Sequence, residues 1–240
     1  MRGWSIVISS LFFLMSCKTT PDPIPDVGLD YFPLKVGAYQ IYNIEETQIS
    51  QSIEQKFIYE LKLEVVDSAI NQEEGYTYNI ERKKRDNANL PWDTMDSWTA
   101  RISNREAIIT EGNISFVKLT FPIVIGLEWD GNAYNTLGGE QYCGANKDQS
   151  CDIYRLENSQ HDTPLSNGIT LAGTITVIQN ENPDLIVKKD VRKEVYARTV
   201  GLIYKESVVL NYCTSSACLG QQQVDQGFMY KQTLKEYGSE

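Results

Sequence analysis

The chain has one histidine, His161, and any Ser-His-Asp or Cys-His arrangement would have to use it as its base. It lies in Asn158-Ser-Gln-His161-Asp162-Thr-Pro164, a polar, turn-like stretch that reads as surface. No Gly-x-Ser-x-Gly elbow and no His-Glu-x-x-His pair occurs. Gly139 and Gly144 have the spacing of a phosphate loop, but Ala145 stands where that loop needs its lysine. A calcium loop of the Asp-x-Asp-x-Asp-Gly type is missing as well. No cofactor, no metal and no catalytic residue are therefore expected. Paired carboxylates stay open as the one alternative chemistry. Two acids about 5 to 9.5 Å apart would suffice for a glycosidase. With 32 Asp and Glu in the chain, sequence spacing selects no pair.

Cysteine chemistry is the next candidate. Setting Cys17 aside, Cys143, Cys151, Cys213 and Cys218 make an even set. Both Cys143-Gly-Ala-Asn-Lys-Asp-Gln-Ser-Cys151 and Cys213-Thr-Ser-Ser-Ala-Cys218 have turn composition, which favours local disulfides in an oxidising compartment. A four-thiolate zinc site is the competing reading. It prefers pairs two to four residues apart, so it suits the second pair but not the first. Crossed pairings and free thiols stay open.

Aromatic and basic residues could serve recognition. Trp92, Trp98 and Trp129 are a candidate ligand platform, because Tyr and Trp offer apolar area with a polar handle. Leu90-Pro91-Trp92-Asp93-Thr94-Met95-Asp96-Ser97-Trp98 reads as a loop between strands, with core anchoring as the other role for its two tryptophans. Arg82-Lys83-Lys84-Arg85 is the one basic run and reads as solvated surface, with anionic lipid heads or an acidic partner as the functional alternative.

These residues need a scaffold and a place. Residues 1–16 read as a signal peptide, with Arg2 ahead of the apolar stretch Ser5 to Met15. That stretch is too short to span a bilayer, which takes about 20 apolar residues. Leu14-Met15-Ser16-Cys17 resembles the lipobox of bacterial lipoproteins, and the resemblance implies cleavage before Cys17 and acylation there. Two or three acyl chains would hold the protein firmly to a membrane. Pro21, Pro23 and Pro25 then make residues 17–28 an extended tether. Loss of residues 1–16 removes only Arg2, which moves the net charge from −10 to −11. Such acidity argues against nucleic acid as a partner, since counterion release needs clustered Lys and Arg.

From Tyr31 onward the texture is β. Phe57-Ile-Tyr59-Glu-Leu61-Lys-Leu63-Glu-Val65 and Tyr76-Thr-Tyr78-Asn-Ile80 alternate at period two, as does Tyr39 to Ile44. Further strands are expected over 97–103, 106–110, 115–121, 152–156, 170–179, 188–196, 201–212 and 227–237. The best helix candidate is the short run 49–56. The expectation is a single mainly-β domain over 29–240, an antiparallel curled sheet, sandwich or half-barrel with few or no helices. Phe32-Pro33-Leu34-Lys35-Val36-Gly37 and Phe121-Pro122-Ile123-Val124-Ile125-Gly126 share one pattern. Both read as corners that open a strand at a sheet edge, and a duplicated half-domain is the alternative.

The lipobox, the proline tether and Tyr31-Phe32-Pro33-x-x-x-Gly37 together resemble uncharacterised Bacteroidota-type lipoproteins. Those have Trp three residues after the glycine, where this chain has Gln40. The resemblance implies a lipid-anchored envelope protein, in the outer membrane, and a sheet-rich fold. It also implies O-glycosylation acceptors at Ser68 in Asp67-Ser68-Ala69 and at Thr94 in Asp93-Thr94-Met95. The expected function is a non-catalytic binding or scaffolding module whose ligand is a glycan, a lipid or an envelope protein. A carboxylate-dependent hydrolase is the alternative, and an apolar cavity enclosed by the sheet would point to lipid.

Overall fold

The computed structural model describes residues 26–72, 75–137, 152–159, 163–164, 168, 170–182 and 186–239. Cys17, Cys143, Cys151 and His161 lie outside the described residues, as do the lipobox and the three tether prolines.

A single turn of 3₁₀ helix, Leu29–Tyr31, leads into β1 (Ala38–Ser50), β2 (Ile53–Ile70), β3 (Tyr76–Arg85), β4 (Asp93–Ile102), β5 (Glu106–Glu111) and β6 (Ile114–Thr120). The second half holds β7 (Glu128–Asp130), β8 (Ile153–Ser159), β9 (Thr163–Pro164), β10 (Thr170–Leu171), β11 (Thr174–Asn182), β12 (Lys188–Ala197), β13 (Gly201–Tyr212) and β14 (Val224–Ser239). Apart from a β9–β10 pair, these form one antiparallel sheet in the order β6-β5-β4-β3-β2-β1-β14-β13-β12-β11-β8-β7. The fold is mainly β, as the period-two patterning leads one to expect.

The sheet curls until its edges almost meet. Val117 of β6 donates its backbone N–H to Gly131 O just past β7, at 3.0 Å. The indole of Trp129 donates to Val117 O at 2.9 Å, and the Asn135 amide to Ser115 O at 2.7 Å. The result is a nearly closed, twelve-stranded barrel. Closure answers a physical need, since an open edge presents unpaired backbone groups to any passing strand.

The strand order is that of two six-strand meanders placed head to tail. Each begins at one of the two Phe-Pro corners. Gly37 and Gly126 both take left-handed backbone, at φ 86° and 83°, which glycine adopts without a Cβ clash. Each donates its N–H at 2.8 Å to the strand that follows the one it opens, Gly37 to Val65 O and Gly126 to Leu156 O. Phe32 and Phe121 are buried in one shared cluster with Tyr31, Leu119, Tyr154 and Tyr196. The corners also bind opposite halves: Thr199 donates to Asp30 O, and Phe121 to Arg105 O, both at 2.7 Å. Gln40 follows the same logic. It stands three residues after its glycine, as Trp129 does, and donates to Val200 O of the other half at 2.5 Å.

Two expectations fail. Residues 49–56 form no helix: β1 and β2 meet there in a two-residue turn, Gln51-Ser52, with φ of 51° and 62°. The strands pair in register on either side of it, Ser50 facing Ile53 and Ile49 facing Glu54, and that ladder overrides a weak local preference. The 90–98 segment is mostly strand rather than loop, because β4 starts at Asp93 and pairs with β3 from Lys84 onward. Elsewhere 170–179 is broken between β10 and β11, and β7 is a strand that its three residues were too few to announce.

Cys213 and Cys218 form a disulfide in the loop joining β13 to β14, with Cα atoms 5.8 Å apart. A loop that short contributes about 2 kcal/mol by the chain-entropy estimate. Cys213→Ser/Cys218→Ser is expected to lower unfolding free energy by about that much while leaving the far-UV spectrum unchanged. Guanidinium titration of both proteins checks it, and an unchanged midpoint would refute the estimate.

Candidate functional site

Closing the sheet leaves an elongated cavity of about 780 Å³ inside it. Its lining runs from Phe32 and Leu34 at the first corner to Tyr230 and Phe228 on β14. On β1 it extends from Ala38 to Glu46, a run of about 26 Å at about 3.3 Å per residue. One wall is apolar: Leu61, Leu63 and Val65 of β2, Ile80 of β3, Trp98 of β4 and Ile109 of β5.

From the end of β5 onward the lining is charged. Lys118 lies 3.0 Å from Glu111 and 3.2 Å from Glu194, and Lys205 lies 3.5 Å from Glu194. The Tyr196 hydroxyl donates to the other oxygen of Glu194 at 2.6 Å. Lys118 is 4% exposed and Glu194 1%. Each half of the chain supplies one carboxylate and one ammonium, from β5 and β6 on one side and β12 and β13 on the other. Strand register explains the inward aim of the second pair. Glu194 faces Lys205 across β12–β13 and Val177 across β11–β12, so it shares a face with core residues.

The electrostatics follow from burial and pairing. Burial by itself would raise the Glu194 carboxyl, but the Lys118 and Lys205 ammoniums and the Tyr196 hydroxyl hold it down to about 2. Glu111 meets the same opposition and also ends below the usual carboxylate range, chiefly through Lys118. Burial would lower Lys118, yet its two carboxylates keep it above the ordinary lysine value. Tyr196 is pushed well up by burial and then by the adjacent Glu194 charge.

The two carboxylates do meet, as a glycosidase would require, but on a shared lysine. A general acid must hold its proton near neutrality, and neither Glu111 nor Glu194 does so. The cluster is built to stay charged and to brace opposite walls.

A second polar group lines the same cavity. Tyr59 donates to Glu46 at 3.0 Å, Gln48 to the other Glu46 oxygen at 2.6 Å, and Tyr230 to Gln232 at 2.9 Å. Arg82 binds Asp96 through Nη1 at 2.9 and 3.1 Å, with its guanidinium 3.9 Å from the Trp98 ring centre.

Two solved structures are similar to this chain over most of its length. One is a protein described as exported, with a YmcC-like fold, from Bacteroides fragilis; the other is described as a lipoprotein from Parabacteroides distasonis. Both are 12% identical to this chain, cover 87% of it over 98% of their own length, and give TM-scores of 0.41 and 0.40. No family model matches the sequence, and no curated protein does. Neither description gives a ligand or an activity.

The three tryptophans are not brought together. Trp98 lines the cavity, Trp92 stacks under the Arg85 guanidinium at 4.1 Å, and Trp129 packs edge-on against Tyr154 at the seam. Ser68 is half-buried on β2, and Thr94 is exposed on β4 with its hydroxyl 3.3 Å from Glu81. The basic run is not free surface. Lys83 pairs with Glu64 and Glu81, Arg85 with Glu60, and Lys84 sits 4.4 Å from the Tyr59 ring centre. Alternation along β3 instead turns Arg82 toward the cavity.

The charge cluster escaped sequence reasoning. Its signal was present: Lys118 interrupts Phe116-Val117-Lys118-Leu119, and Glu194 alternates with Tyr196, both at positions where an apolar residue is expected.

Proposed function

We propose that the chain is a membrane-tethered, non-catalytic binding module of the outer membrane, and that its ligand is an amphiphile held inside the sheet. The observation that carries this reading is the elongated, partly open cavity with one apolar wall. Its volume falls within the range of small-molecule sites. A glycan platform would need aromatic faces side by side in the open, and Trp92, Trp98 and Trp129 are dispersed. Supporting the tethered placement, the first described residues bind at the foot of the barrel. Arg198 holds Asp26 at 2.8 Å and Asp30 at 2.7 Å, beside the corner that opens β1.

The test uses the mature chain 17–240 carrying Cys17→Ser, titrated with N-phenyl-1-naphthylamine, an uncharged apolar dye. Saturable binding at one site per chain is expected, with displacement by dodecanol. Leu63→Trp, which fills the cavity from its apolar wall, is expected to weaken dye binding about tenfold. A protein that binds no dye but retains a glycan on an array would overturn the reading.

A further inference from the structure

A second hollow, of about 640 Å³, adjoins the cavity and shares Glu46 and Phe228 with it. Strand register makes the two continuous. Glu46 of β1 faces Tyr230 on β14 and Phe57 on β2, and Gln48, next on the same face, is opposite Phe228 and Gln55. Phe228, Gln48 and Gln55 therefore form a cross-strand row that prolongs the inner wall of the barrel. β3 ends at Arg85 opposite Glu60, so β2 from Ile53 to Tyr59 runs past its neighbour as a ledge. The ledge is open to solvent, since Gln48, Ser50, Gln51 and Gln55 are all exposed. Its lining is rich in hydrogen-bonding groups and poor in charge. Among the described residues no lysine or arginine lines it, and its one carboxylate, Glu46, already accepts from Tyr59 and Gln48. The Gln51 and Gln55 amides hold no partner among the described residues. An amide carries donors and an acceptor together. An anion answers only the donors and an ammonium only the acceptor, whereas a hydroxyl answers both.

We infer that this ledge is the head-group site of the amphiphile, and that the head is neutral and polyhydroxylated. Its hydroxyls bond the Gln48, Gln51 and Gln55 amides, and its carbons lie on the Phe228 ring. Phe228 lines both hollows, so the tail passes from that ring into the cavity. A sugar and a glycerol share this chemistry. The inference rests on the amphiphile reading above and adds where the head lies and which groups bond it.

Displacement of N-phenyl-1-naphthylamine from the mature Cys17→Ser chain tests it. The competitors are dodecyl glucoside, monododecanoylglycerol, dodecanol, dodecanoate and dodecyltrimethylammonium, each below its micelle-forming concentration. Their tails match in length, so differences among them report the head. One or both hydroxylated heads are expected to bind about tenfold more tightly than dodecanol, and their ranking separates the two sources. The two ions are expected to gain nothing over dodecanol. Gln55→Ala is expected to cut that advantage roughly threefold or more. Lys56→Ala, on the opposite face of the same strand, is expected to keep it. Equal binding of dodecyl glucoside, monododecanoylglycerol and dodecanol by the unsubstituted chain would overturn the ledge assignment and leave the amphiphile reading standing. Tighter binding of either ion, or an advantage untouched by Gln55→Ala, would do the same. Failure of every probe to bind would overturn both.

Discussion

Replacing Lys118 with methionine is expected to destabilise the protein by about 3–5 kcal/mol, the cost of leaving a buried charge without its partner. Lys118 is the ammonium common to Glu111 and Glu194, and its removal strands two carboxylates inside the sheet. Lys205 cannot substitute fully, since it pairs with Glu194 at 3.5 Å and acts on Glu111 only at longer range. Urea unfolding followed by tryptophan fluorescence reads the loss. Adding Glu194→Gln to Lys118→Met is expected to return part of it, because the amide removes one stranded charge and still accepts from Tyr196. A loss below about 1 kcal/mol would mean that the cluster is solvated and braces nothing.

The same cluster sets an acid limit on the fold. Glu194 is held at about 2 in the native protein, against an ordinary value of 4.5. Between those values the unfolded chain takes up a proton that the native one refuses. The stabilisation is therefore complete above about 4.5 and is lost as pH falls toward about 2. Its size is about 3 kcal/mol, and Glu194→Gln is expected to remove that portion of the pH dependence.

How much of this was legible in the residues differs by level. Phe57 to Val65 and Tyr76 to Ile80 announced strands because a half-buried strand must alternate. The repeated Phe-Pro-x-x-x-Gly announced two strand-opening corners, and each opens a six-strand meander, but only β7 starts at a sheet edge, since β1 is paired on both sides. Register was not legible. That β1 pairs with β14, some two hundred residues away, decides which walls face each other, and no local pattern carries it. Glu111, Lys118, Glu194 and Lys205 come together only through that pairing and the curl that follows. Trp98 and Arg82 show the same limit. One was read into a loop and the other into a solvated run, yet a cross-strand face unites them. The tip at Gln51-Ser52 failed for a different reason, since two left-handed residues without glycine carry little turn signal.

Substituting alanine for Gly131 is expected to cost about 3 kcal/mol and to loosen the barrel at its seam. The reason is steric rather than conformational, because Gly131 does not adopt left-handed backbone. A Cβ there would lie 2.3 to 2.5 Å from three atoms of the Tyr154 ring. That ring is buried in the main cluster and held edge-on by Trp129, so it has little room to yield. The backbone must move instead, and Gly131 O is the acceptor of the Val117 N–H that joins the two edges of the sheet. Hydrogen exchange at the Val117 amide is expected to accelerate by more than the global loss explains, marking local opening. Dye binding is expected to weaken with it, since the cavity exists only while the sheet is closed. Tyr154→Leu in the same chain removes the outer ring atoms that the new Cβ meets, and part of the stability should return. Unchanged stability in Gly131→Ala, with Val117 still protected, would show that the seam is held elsewhere.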